Sequence, residues 1–75
     1  GLTLLDVRGF EKVLVDENLI ELAAGGSGGA VEAQLRDCKD VELAAQRLCG
    51  VAGAPKARCD AVASLRADGW DTALG

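Results

Sequence analysis

The side chains able to do chemistry are few in this chain, and their spacing excludes more than it offers. Cys38, Cys49 and Cys59 are the three thiols, and the sequence contains no histidine. Without imidazole there is no common general acid or base, and no serine or cysteine can be paired with one to make a nucleophile. Three cysteines with no CxxC pair complete neither a disulfide framework nor a four-ligand zinc site. They read as small buried hydrophobes in a reducing, cytoplasmic compartment, with a reactive or redox thiol as the alternative. Asp16-Glu17 and Asp37-x-x-Asp40 are the acidic clusters, but they lack the calcium-loop pattern with its bidentate glutamate, so helix capping and solvated faces account for them. Gly25 to Gly29 is glycine-rich without the Lys-Ser/Thr sequel of a phosphate loop. Enzymatic activity, a metal and a cofactor are therefore not expected.

The charge balance narrows the partners. A formal net charge of −4 would repel a phosphate backbone instead of releasing counterions from it, so nucleic acid is not an expected partner. The acids are uneven: Asp6, Glu11, Asp16, Glu17 and Glu21 stand against only Arg8 and Lys12 in residues 1–24, whereas residues 30–75 are close to neutral. No signal peptide and no apolar run of membrane-spanning length is present, and no membrane partner is expected.

The organisation that must position any binding residue turns on Gly25-Gly26-Ser27-Gly28-Gly29. This run has no side chain to pack and maximal backbone freedom. It divides the chain into an amphipathic arm or docking peptide (1–24), a Gly/Ser linker with the composition of an engineered tether (25–29), and a small helical domain (30–75). A natural glycine-rich loop is the alternative. In the arm, Asp16 can cap a helix over Glu17 to Ala24, although Val13, Leu14 and Val15 also suit an extended piece. In the body, Val41, Ala44, Ala45, Leu48 and Cys49 follow the template of an amphipathic helix that Gly50 would stop. Pro55 then opens a helix reaching Asp68, and Gly69 ends it. The spacing predicts an all-α fold, a compact bundle of three to five short helices.

Leu48-Cys49-Gly50-Val51, a short turn, and Arg58 through Asp71 with Gly69-Trp70-Asp71 resemble the middle of a ubiquitin-associated domain, over about a third of the chain. The resemblance implies a three-helix bundle and ubiquitin as a partner, with contacts at Gly50, Val51 and Leu74.

Two functions fit this organisation. In the first, the protein is a non-enzymatic protein–protein docking module in which a peptide is tethered to its helical partner domain. The arm would pack through Leu4, Leu5, Phe10, Leu14, Leu19 and Ile20 against Val41, Leu48, Val62, Leu65 and Trp70, by the helix-in-groove mode. In the second, it is a ubiquitin-binding domain, with the segment order rearranged so that residues 2–15 complete the helix begun at Thr72. A structural fragment of a larger assembly is a third class.

Overall fold

The computed structural model describes residues 2–21 and 30–75, and among them there is no helix. Nine strands run in chain order: β1 (Leu2–Arg8), β2 (Lys12–Val15), β3 (Leu19–Glu21), β4 (Val31–Arg36), β5 (Asp40–Leu43), β6 (Arg47–Cys49), β7 (Lys56–Asp60), β8 (Ser64–Ala67) and β9 (Asp71–Leu74). Every pairing is parallel. The strands lie in three sheets of order β1-β4-β7-β9, β2-β5-β8 and β3-β6, here called A, B and C.

This is a coil of stacked rungs. The chain visits sheets A, B and C in turn as β1, β2, β3, then repeats the circuit one level on as β4, β5, β6. Leu5 faces Ala33, Val13 faces Val41 and Ile20 faces Leu48 at one constant offset. Such solenoids bury an apolar face only by stacking, so each rung depends on its neighbours.

The helical expectation fails on periodicity. Val31, Ala33 and Leu35 are fully buried while Glu32, Gln34 and Arg36 between them face outward. Val41 and Leu43 alternate with Asp40 and Glu42, and Ala57 and Cys59 with Lys56, Arg58 and Asp60. That period of two is the signature of a strand with one covered face. The helical template over Val41 to Cys49 instead spans β5, a three-residue corner and β6. Leu19–Glu21, expected as helix, is β3, and Pro55 to Asp68 is β7 and β8. Residues 22–29, including the glycine run, lie outside the described residues.

The corners carry the repeat. Residues 9–11, 37–39 and 61–63 join sheet A to sheet B in successive rungs, and the first residue of each has a left-handed backbone: Gly9 (φ 78°), Asp37 (φ 53°) and Ala61 (φ 55°). Glycine and aspartate reach that region more easily than alanine. Stacking holds the conformation in place, because the ladder continues around the bend. Asp37 donates its amide to Asp60 O (3.0 Å), Lys39 to Phe10 O (3.1 Å) and Ala63 to Cys38 O (3.2 Å).

The core sits where strands are flanked on both sides, in β4, β5 and β7 and in the corner after β4. Leu35, Cys38, Val41, Leu43, Ala57 and Cys59 form it, with Val7, Val13, Val15, Val62, Leu65 and Trp70 packed against it from the rungs above and below. On this fold Leu35→Ala should lower unfolding free energy by about 2–5 kcal/mol, whereas Leu14→Ala, at a site 60% exposed, should change it by no more than about 0.5 kcal/mol. Urea titration of both variants checks the contrast, and equal losses would contradict the register.

Candidate functional site

The third rung breaks the pattern. After β7 and β8 the chain turns at residues 68–70 and lays β9 on β7 in sheet A, so among the described residues no strand lies on the far side of β6 in sheet C. The equivalent corners of the first two rungs, residues 16–18 and 44–46, lead to β3 and β6. Gly69 accounts for the difference in local geometry. It has a left-handed backbone (φ 74°), which the aligned Glu17 and Ala45 do not share. A side chain added at Gly69 would meet Ala45 Cβ at 3.9 Å, so there is space, and the backbone conformation is what favours glycine there.

Trp70 occupies the inside of this shortcut. Its Nε1–H donates to Ala44 O at 2.8 Å, and the ring is half-buried against the core. The same carbonyl accepts from Gln46 Nε2 (2.7 Å), which also donates to Asp16 O (2.6 Å) while Gln46 Oε1 accepts the Asn18 amide (3.0 Å). These bonds tie the second corners of all three rungs together. Beside them is a hollow of about 240 Å³, walled mainly by Leu4, Leu5, Val15, Ile20, Ala33 and Trp70.

The open edge is centred on Leu48. Arg47 donates its amide to Asn18 O at 2.9 Å, so the alternation of a parallel ladder turns the Leu48 amide and carbonyl to the opposite side, away from β3. The Leu48 side chain shares the inward row with its register partner Ile20, yet it is 38% exposed. An apolar side chain and a donor–acceptor pair with no partner among the described residues therefore coincide at one residue. That combination receives an extended segment, since strand edges recruit strands.

The residues anticipated as a helix-in-groove interface are redistributed. Leu4, Phe10, Leu14 and Leu19 are exposed, and Leu5 and Ile20 are half-buried. Val41 is fully buried, paired with Val13 on one side and Leu65 on the other. Val62, Leu65 and Trp70 pack on the core. The arm meets the body strand to strand, Leu5 against Ala33, Leu14 against Glu42, Leu19 against Arg47 and Ile20 against Leu48, which replaces the groove with a ladder. Gly50 and Val51 follow β6 in a loop, and Leu74, on β9, is 74% exposed. The three-helix bundle implied by the sequence resemblance is absent from the described residues.

The acidic clusters and thiols are accounted for locally. Asp16 Oδ1 accepts the Glu17 amide (2.8 Å), and Asp37 forms the left-handed corner. No group of His, Cys, Asp or Glu that could hold a metal is found among the described residues. All three cysteines are free, with Cys49 exposed and Cys38 and Cys59 buried. The Cys38 thiol donates to Arg36 O (3.3 Å). Burial, with a smaller contribution from Cys38 nearby, pushes the Cys59 thiol above its ordinary value.

Among the described residues no helix is long and apolar enough to cross a membrane. Comparison with known protein families, with curated proteins and with solved structures returns no match for this chain.

Two outcomes follow from this geometry. Replacing Trp70 with Phe keeps most of the packing but leaves Ala44 O without one donor, and should lower unfolding free energy by about 1 kcal/mol in urea titration. Because Cys59 stays neutral in the folded chain where the unfolded chain has begun to ionise, its contribution is intact below the ordinary thiol value of 9.0 and is lost as pH rises from there through the raised value of the folded chain. Stability measured across that range should fall for the native sequence and fall less steeply for Cys59→Ala.

Proposed function

We propose that the protein is a non-enzymatic protein-binding module that captures an extended segment of a partner by adding it as a strand alongside β6. The exposed Leu48, held in an inward row with no strand beyond it among the described residues, carries this reading. A strand laid parallel to β6 would complete sheet C at the level of the third rung, bond the Leu48 backbone and cover its side chain. Backbone bonds would supply affinity, and the residue placed over Leu48 would supply specificity. Arg47, outward on the same strand and in no ion pair among the described residues, favours an acidic side chain on the incoming segment. The short length of β6 limits the attraction to a few backbone bonds, so the partner is bound reversibly. Three free thiols favour a reducing compartment such as the cytoplasm.

Selection of a displayed library of random linear peptides against the intact protein tests this. Selected peptides should carry an aliphatic residue next to an acid, and should shift the amide signals of residues 46–50. Leu48→Ala should weaken them about tenfold, the loss of one buried aliphatic contact, and Arg47→Glu should weaken the acidic ones. Peptides that bind without perturbing residues 46–50, or that ignore both substitutions, would overturn the assignment to β6.

A further inference from the structure

A second surface, on a different sheet, points to a small ligand. Sheet A turns Val7, Leu35 and Cys59 inward, so Arg8, Arg36 and Asp60, and two residues earlier Gln34 and Arg58, face outward at the C-terminal ends of the strands. There they line an open groove of about 560 Å³, bounded on its far side by the β9 edge. Arg8 and Arg36 are direct register partners on adjacent strands, an arrangement in which like charges repel. Neither lies in an ion pair among the described residues. Arg36 Nη2 donates to Gln34 Oε1, which holds the guanidinium over the sheet. Arg58 reaches Glu32 only at 3.5 Å, with its side chain 73% exposed, so it is free to swing into the groove. Asp60, opposite Arg36 in register, is the one side-chain carboxylate of the lining, and it offsets part of the charge of three arginines.

We propose that this groove binds the tetrahedral oxyanion of a small phosphate or sulfate ester. One guanidinium already saturates the two oxygens of a carboxylate in a bidentate pair. Three guanidiniums, brought in from three strands spaced about 4.8 Å apart, match a group with oxygens directed several ways. Arginine suits the role because its donors are fixed in a planar fork and its charge is permanent. An oxyanion between Arg8 and Arg36 turns their repulsion into shared attraction. The groove volume is in the range of pockets that enclose a small organic molecule, so the ester's organic part would lie along the β9 edge against Ala73 and Leu74. Bulk electrostatics oppose binding, because the chain as a whole is negative. Any affinity must then come from the arginines themselves.

The test is titration of isotope-labelled protein with inorganic phosphate, inorganic sulfate, glucose 6-phosphate and succinate at constant low ionic strength, following the arginine Nε–H signals. The signals of Arg8, Arg36 and Arg58 should move together and saturate, and Arg36→Gln and Arg8→Gln should each weaken binding about tenfold. Both substitutions are at outward positions, and unchanged circular dichroism verifies the fold. Arg66→Gln, on sheet B beside Glu42, should leave the affinity as it was. Phosphate or its sugar ester binding more tightly than sulfate identifies a phosphate ligand, and the reverse a sulfate ester. Shifts that never saturate, that survive Arg36→Gln, that appear equally at Arg47 and Arg66, or that succinate reproduces at equal concentration would overturn the proposal.

Discussion

Rung-on-rung hydrogen bonding is the constraint on which the rest of this protein depends. No strand has a partner within its own rung; each of the described pairings joins one level of the coil to the next. The ladder continues through the corners, where Asp37, Lys39 and Ala63 donate to the adjacent level. Burial follows from the same arrangement. A middle rung is covered above and below, so Val31, Ala33, Leu35, Val41 and Leu43 lose essentially all exposure. The outer rungs contribute the same inward rows but keep an uncovered side, which is why Val7, Val13 and Leu65 are only half-buried.

A regular coil would close every edge except at its two ends. Here one glycine conformation and one aromatic ring alter that outcome in the interior. Gly69 bends the chain from sheet B directly back to sheet A, and Trp70 fills the inside of the bend with its indole N–H satisfied by Ala44 O. Sheet C is left a strand short, and Leu48 loses the neighbour that its row requires. The functional reading rests on this departure from repetition, since a complete ladder has no free donors or acceptors with which to recognise a partner. The arginines of sheet A illustrate a different consequence of stacking. In-register pairing places the same position of successive rungs one strand spacing apart, so a charged residue that repeats makes a cluster.

Some of this was legible in the residues. The alternation in Val31-Glu32-Ala33-Gln34-Leu35 and in Lys56-Ala57-Arg58-Cys59-Asp60 is a strand pattern, and Val7-Arg8-Gly9, Leu35-Arg36-Asp37 and Cys59-Asp60-Ala61 align as a repeated strand-to-corner step. The helical reading arose because each strand here is short. A window long enough to test a helix spans a strand, a corner and another strand, and apolar residues such as Val41, Ala44, Ala45 and Leu48 then fall at helical intervals by coincidence. Leu48 stands out in the sequence as a contact residue, but its exposure is not legible there. Arg8, Arg36 and Arg58 carried no signal as a group, because they are far apart along the chain.

The chain's own residues determined its acidic balance, the absence of imidazole chemistry, the free thiols, and the local preference of Gly9, Asp37 and Gly69 for left-handed corners. These are properties of single side chains or of neighbours in sequence. The tertiary structure alone decided which strand lies on which, that β9 returns to sheet A, that Leu48 is uncovered, and that three arginines share a groove. Parallel pairing joins residues separated by a whole turn of the coil, and its register is set by the packing of inward rows that form only when the rungs are stacked.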